Sequence, residues 1–528
     1  MSDLDKLKSA SISKRFHQTW ANTFRCKPDR YVQPSTIDEI QAVVRQAQKQ
    51  KRTVMLTGSG HSPSDMTMTS DWVMNLDKFK QAVSFKPHHS GKFTDVTVEA
   101  GIRIFQLNEI LAKRGLAIQN LGSISDQSIA GIISTGTHGA SAYHGLVSQQ
   151  IVNLTIMIAS GELITCSPTE NPILFRAAML SLGKSGIIVY ATIRTVPSYT
   201  IHSCQEVITF DQLFKLWPTL WTSSEFVRVW WFPYTRKCIL WRANKSNKPL
   251  SPPRPSWYGT WVGRKFYEAL LWFAVNLYPA ATPGIEKWVF NQQYGKTVTY
   301  ENGGSEAVQG SVDGLNMDCL FSQFVNEWGM PLSSGLDVLE QLESAINKAA
   351  LNDEFYVHAP IEVRCSNTTS SGSLTDDVED IIDPNTSDIS QKGAIPGNNL
   401  KPLLDITPEL SYTANQDEIT NDNLTLYINA TMYRPFGFNS PVGKWYRIFE
   451  DIVYAVGGKP HWAKNFIGTL DVEPTYDGQM QGLKPTMDEW YGENLQTWKS
   501  LRRKYDPDGV FLSGKEWAVR NGLVDEDE

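Results

Sequence analysis

The chain has few cysteines, no signal core, no unbroken apolar run and no excess of positive charge, and each lack removes a class of function. Its six cysteines (Cys26, Cys166, Cys204, Cys238, Cys319, Cys365) are scattered through 528 residues without a C-x-x-C pair or any metal-type Cys/His spacing. That excludes a cysteine-based zinc or redox motif and predicts reduced, mostly buried thiols of an intracellular protein. Residues 1–20 alternate charge with small side chains and lack the apolar core of a secretion signal. A net charge of −7 supplies no general attraction to nucleic acid. The least polar stretch, 269–285, is uncharged but interrupted by Asn276, Pro279 and Pro283, and it falls short of the ~20 residues a membrane span requires. It predicts a core helix, with an interfacial anchor as the alternative.

What is present is an ordinary globular composition, 41% apolar and 20% charged, long enough for about two or three domains and a large core. Seventeen Trp and nineteen Tyr fit aromatic-lined pockets, a membrane-facing belt or that core equally well. Thr36-Ile-Asp-Glu39 is a capping box followed by Ile40, Val43, Val44 and Ala47 at helical spacing. That helix leads to a β-rich run over 52–56. A strand over 95–100, a helix through Phe105, Leu107, Ile110 and Leu111 stopped at Gly115, a hairpin of 151–158 with 163–166, and a strand over 187–196 follow. Residues 20–198 therefore predict one α+β unit with mixed strands. Beyond 199 the texture changes. Residues 226–234 and 238–241 predict antiparallel strands and 335–350 a helix, and regular structure restarts over 422–432 and 445–456. The stretch 366–411 contains no aromatic residue and is rich in Ser, Thr, Asp and Asn, which predicts a solvated, partly disordered insertion reaching to about 420.

The chemistry concentrates in two glycine-rich segments. In Thr57-Gly58-Ser59-Gly60-His61-Ser62-Pro63, glycines let backbone N–H groups approach an anion closely, and the histidine adds a nucleophilic nitrogen beside it. A nicotinamide-type fingerprint needs a Gly or Ala where Pro63 stands, so that reading fails. The second segment, Gly122-Ser123-Ile124-Ser125-Asp126-Gln127-Ser128-Ile129-Ala130-Gly131, runs on to Thr135-Gly136-Thr137-His138-Gly139. Its small residues and hydroxyls suit the edge of a flat, phosphate-bearing ligand. Later, His358, Glu362 and Arg364 alternate with Val357, Ala359, Ile361, Val363 and Cys365, so that the three polar residues share one predicted strand face. His461 and Lys464 sit three apart in Pro460-His-Trp-Ala-Lys464.

Together these segments resemble the FAD-binding domain of the vanillyl-alcohol-oxidase-type flavoproteins, and His461-Trp462-Ala463-Lys464 resembles the signature of the aldonolactone oxidoreductases within that group. The resemblance runs from about Trp20 to Trp517. It implies an α+β architecture: a VAO/PCMH-type FAD-binding domain over 20–198, a cap domain over 199–455 with an antiparallel sheet flanked by helices, and a C-terminal segment, 456–528, that completes the active site. It implies that FAD is covalently attached to His61 through the flavin 8α-methyl group. Gly58, Ser59, Gly60, Ser62, Gly122, Ser123, Ser125 and Asp126 are implied cofactor contacts, with Ser128, Gly131, Thr135, Thr137, His138 and Ile187. Glu362 and Arg364 match the Glu–Arg pair of the family's substrate pocket. A fixed cation offsets charge on the reduced ring, and Lys464 and Arg364 are the candidates, with His461 either a direct participant or a structural hydrogen-bonder. Members that react poorly with oxygen carry Ala where this chain has Gly122, which implies an oxidase. The implied reaction takes an aldono-1,4-lactone and oxygen to an ascorbate-type enediol and hydrogen peroxide. Relatives acting on L-gulono- or L-galactono-lactone, or on alditols, are the alternatives, and an inactive FAD-binding partner protein is the alternative of another class. The group's mitochondrial membrane association is an implied location, with 257–290 as the contact; a cytoplasmic location is the other.

Overall fold

Local sequence accounts for the helix that precedes the glycine loop. Thr36 Oγ1 accepts from the Glu39 amide at 3.2 Å and starts the helix Ile37–Lys49, whose Ile40, Val43, Val44 and Ala47 are buried. The other half of the expected capping box is displaced by one residue. The Glu39 carboxylate accepts from the Ser35 amide at 2.7 Å, so two successive residues share the cap. The computed structural model describes residues 1–295, 305–369, 378–390, 392–413, 416–468 and 482–528.

The strand Val54–Thr57 lies parallel to Trp72–Asn75, and Arg30–Val32 and Ser11–Ile12 complete a four-stranded sheet. A six-stranded sheet follows, in the order Leu163–Cys166, Ile151–Met157, Ile187–Pro197, Thr94–Glu99, Ala82–Pro87, with Leu116–Ile118 paired to the end of Ile187–Pro197. The expected hairpin is there, and its turn glycine, Gly161, has φ +84°. The helix Ile104–Ala112 ends before Gly115 at φ +67°, a left-handed stop that glycine tolerates best.

From Thr200 the chain builds an eight-stranded sheet, antiparallel at each described pairing. Its order is Ser305–Gly310, Thr200–Thr209, Lys237–Ser246, Phe226–Phe232, Ile361–Asn367, Leu424–Tyr433, Gln323–Pro331, Lys459–Pro460. Side chains alternate across it. Trp231, Val363, Ile428 and Trp328 join a core with the helices Phe210–Leu220, Gly335–Leu351 and Gly443–Tyr454. Trp230, Glu362, Asn429 and Glu327 form one register-matched row on the opposite face. That row is one wall of the site.

Two expectations change. The apolar stretch 269–285 is not one core helix. The helix Trp261–Asn276 ends at Leu277, a tight turn Pro279–Ala281 follows, and Thr282–Tyr294 returns. One face of the pair buries Tyr267, Leu271, Ile285 and Val289, while Trp261 and Val262 remain 76% and 69% exposed. Among the described residues no helix is long and apolar enough to cross a membrane.

The polar run after 366 is a solvated insertion only in part: residues 379–388 are mostly exposed, but its two ends are packed. Ser366 to Thr369 are buried, as are Leu403, Leu404 and Ile406. Gln119 Nε2 donates to the Ile395 carbonyl at 2.7 Å while its Oε1 accepts from the Ile395 amide at 2.8 Å. Asn398 Nδ2 donates to the carbonyls of Ser148 at 2.8 Å and Ile151 at 2.7 Å. Polar side chains here satisfy backbone groups of the other sheets, so polarity does not require solvent. Residues 370–377, 391 and 414–415 of that run lie outside the described residues.

Candidate functional site

The two glycine segments meet. A Cβ on Gly58 would collide with the Ser128 hydroxyl, and one on Gly60 would stand 2.9 Å from the Gln18 carbonyl. Gly60 also has φ +73°, which turns the chain after the strand Val54–Thr57. Between the segments runs a cleft lined by Gly58, Ser59, Gly60, His61 and Ser62 from one and Ser128, Gly131 and Thr135 from the other, with Ile187 also in its lining. Thr57 Oγ1 lines this cleft and is buried without a partner. Glycine walls and an unspent hydroxyl fit a long phosphate-bearing group such as FAD.

His61 stands where this cleft joins a second cavity, for it lines both. Its ring stacks on Trp20 at 5.4 Å between centroids and 26° between planes. Nε2 lies 3.2 Å from Asp126 Oδ2. A carboxylate only accepts, so Nε2 carries the proton and Nδ1 presents a lone pair. Nδ1 is buried and has no partner. Burial holds the imidazole below the usual histidine range, against the opposing pull of Asp126. The ring is therefore neutral and nucleophilic at neutral pH. Arg103 anchors Asp126 from behind: its Nη1 donates to the Asp126 carbonyl at 2.5 Å, and Nε and Nη2 grip Asp77 at 2.9 and 2.7 Å.

Gly122, Ser123, Thr137 and His138 line the second cavity rather than the first. Ser125 departs from expectation. It lines neither, and its hydroxyl donates to Asn316 Oδ1 at 2.8 Å. Asp126 likewise lines neither and acts on His61 instead.

Glu362 and Arg364 project into the second cavity from the strand Ile361–Asn367, whose Ile361, Val363 and Cys365 belong to the core. His358 does not share their face. Ala359, at φ +83°, breaks the alternation before the strand begins, and His358 Nε2 pairs with the Tyr433 carbonyl at 3.0 Å, outside the cavity. His461 and Lys464 arrive from a turn after Lys459–Pro460, closed by Lys464 N donating to His461 O at 2.9 Å. His461 Nδ1 accepts from the Ala463 amide at 3.2 Å, and burial keeps its pKa well below the ordinary value. The ring is neutral and Nε2 bears its proton. Trp462, fully buried, donates to the Leu404 carbonyl at 3.0 Å and anchors the turn.

The sequence reading missed Glu327. It lies on the strand Gln323–Pro331 with no solvent exposure. Arg364 Nη2 donates to its Oε1 at 2.6 Å, Lys464 Nζ stands 3.2 Å from its Oε2, and His138 Nε2 lies 3.4 Å from Oε1. Burial would raise its pKa, but Lys464 and then Arg364 outweigh burial and hold it well below the usual range. The signal was available: Phe324-Val-Asn-Glu-Trp-Gly-Met330 is a buried-type run with one charge inside it. Arg364 also donates to Ser123 Oγ at 3.1 Å, and its Nε lies 3.5 Å from Glu362 Oε2. Glu362 Oε1 is buried and unpartnered. Two cations thus face two carboxylates. Among the described residues His138, Glu327 and His461 are the one group with metal-ligand spacing, but that carboxylate is already occupied by Arg364 and Lys464.

A family model described as D-arabinono-1,4-lactone oxidase matches residues 191–521, and one described as an FAD binding domain matches residues 28–167. The chain is similar along its length to proteins named D-arabinono-1,4-lactone oxidase. That of Yarrowia lipolytica is 65% identical, covering 98% of this chain and 100% of the relative. That of Candida albicans is 54% identical over 99% and 100%, and that of Saccharomyces cerevisiae 50% over 97% and 97%. Solved structures of cholesterol oxidases share the fold alone. A solvent-stable cholesterol oxidase has a TM-score of 0.73 at 17% identity, covering 94% of this chain and 96% of that one. The cholesterol oxidase of B. sterolicum has 0.71 at 16%, covering 98% and 97%.

Proposed function

This chain belongs to the D-arabinono-1,4-lactone oxidase family, and we propose that it oxidises D-arabinono-1,4-lactone, or a close aldono-1,4-lactone, at the C2 carbinol with oxygen as acceptor. The observation that carries the reading is the meeting of Glu362, Arg364 and Lys464 on one cavity that shares His61 with the glycine-walled cleft. The glycine-walled cleft from Gly58 to Ser62 and from Ser128 to Thr135 would hold FAD, which would supply two-electron redox chemistry between the lactone and oxygen, with hydrogen peroxide as the reduced product. Glu362 Oε1, buried and unspent, accepts a lactone hydroxyl and takes the C2 hydroxyl proton. Arg364 and Lys464 offset negative charge as it develops, an effect stronger in a water-poor cavity. The 2-keto lactone then tautomerises to an enediol. A panel of aldono-1,4-lactones and alditols with a peroxide readout tests this. The largest rate belongs to D-arabinono-1,4-lactone, and turnover confined to alditols rejects the lactone reading.

His61 holds the flavin covalently, on this reading, because its neutral ring presents an unpartnered Nδ1 at the junction of the two cavities. Acid-precipitated protein should keep yellow fluorescence and His61→Ala should lose it; acid-stable colour in His61→Ala would contradict the assignment. Three functional parts follow: 20–198 for the cofactor, 199–455 for the substrate, and 456–528 to close the site. The mitochondrial membrane is the proposed location, with Trp261, Val262, Phe266 and Leu277, all exposed on the helix pair, as the contact. Flotation with liposomes tests that, and equal flotation after Trp261→Ser and Val262→Ser would exclude this contact.

A further inference from the structure

Arg364 and Lys464 reach the cavity from different elements, the strand Ile361–Asn367 and the turn after Lys459–Pro460. One carboxylate joins them. Glu327 places Oε1 on Arg364 and Oε2 on Lys464, and among the described residues it is the carboxylate that Lys464 meets. We propose that Glu327 is the positioning residue of the reaction: a buried carboxylate that holds both cations at one point and balances their charge until electrons arrive from the substrate. This rests on the lactone-oxidase reading above.

Two physical arguments support it. First, like charges brought into one buried cavity repel, and a shared anion between them converts repulsion into a fixed geometry. Second, the sheet itself fixes the anion. Glu327 pairs in register with Asn429, and Asn429 with Glu362, so both carboxylates are set by backbone ladders rather than by free rotation of a loop. Its strand is further pinned from the C-terminal side, where His461 N donates to the Glu327 carbonyl at 2.8 Å. The same residue that carries the carboxylate therefore anchors the turn that carries Lys464. Glu327 need not touch the substrate to act on it.

The variants Glu327→Gln and Glu327→Asp, purified with bound flavin, separate charge from position. Sulfite titration of the bound flavin, followed by bleaching of its visible band, reports positive charge near the ring without any lactone. Anaerobic reduction by lactone reports alignment. For Glu327→Gln, sulfite binds roughly tenfold more tightly, as one negative charge is removed, yet reduction at saturating lactone falls by about a hundredfold. Half-saturation moves less than about fivefold. Charge alone would speed reduction, so the opposed signs mark a positioning role. Glu327→Asp keeps parental sulfite affinity and is reduced at a rate between the other two. Parental values for both measurements in Glu327→Gln overturn the proposal, as does weaker sulfite binding. Should Glu327→Gln not fold, Glu327→Asp decides: slower reduction with unchanged sulfite binding supports it, and parental reduction overturns it. A parent that no lactone reduces, with sulfite still tightened in Glu327→Gln, rejects the lactone and leaves Glu327's charge-balancing role standing.

Discussion

Gly122 has no room for a side chain. A Cβ there would stand 2.8 Å from the Thr137 methyl and 3.7 Å from the His138 carbonyl. These three residues line the second cavity, and on the oxidase reading an added methyl there hinders the approach of oxygen to a bound ring. Gly122→Ala should slow reoxidation by oxygen at least about tenfold, a barrier increase of ~1.4 kcal/mol, while leaving anaerobic reduction by lactone within about threefold. Stopped-flow measurement of the two half-reactions checks this, and equal slowing of both would place the methyl's effect on the substrate instead. That the segments bearing His61 and Gly122 wall cavities was legible in the sequence, because glycine next to histidine or hydroxyl carries a local, short-range meaning. Glu327 was not. Its partners lie 37 and 137 positions away (327 to 364 and 327 to 464), and only the fold brings them together.

At the scale of elements, the helix Thr282–Tyr294 carries a buried acid with a measurable consequence. Glu286 Oε1 accepts from the Tyr234 and Thr235 amides at 2.8 and 3.0 Å, while Oε2 is buried without a partner. Burial pushes its pKa up to about 8. The folded chain thus keeps a proton that the unfolded chain loses above the ordinary carboxylate range. Stability from this group is full below pH 4.5 and lost as pH rises toward about 8. Glu286→Gln has no such titration. The parent should lose stability relative to Glu286→Gln by ~1.4 kcal/mol per pH unit in that window, measured by urea unfolding at pH 5 and pH 8. A difference that does not change with pH would mean Glu286 is ionised in the folded state. Helices and strands here were mostly readable from periodicity, because each buries one face. The exceptions have identifiable causes. The strand predicted over 357–365 begins at Ile361 because Ala359 adopts a left-handed backbone. The predicted single helix over 269–285 is divided at the prolines that its own sequence contained.

Across the whole molecule, the site is assembled from widely separated parts of the chain, among them the loop at His61, the Gly122–His138 segment, the strand bearing Glu327, the strand bearing Arg364 and the turn bearing Lys464. The polar run after 366 helps hold them. Leu404 receives the Trp462 indole hydrogen bond, so a segment that composition alone assigns to solvent supports the turn next to Lys464. Composition reports what a segment can expose, not what long-range contacts make it bury. That is why the packed ends of the run were misread while the α+β class and the antiparallel eight-stranded sheet were legible from strand spacing and motif together. The most direct test of the central claim is the visible spectrum of the purified protein mixed anaerobically with D-arabinono-1,4-lactone. The flavin band should bleach within the mixing experiment and return on admission of air, with peroxide formed in step. A spectrum that lactone leaves unchanged would contradict the account.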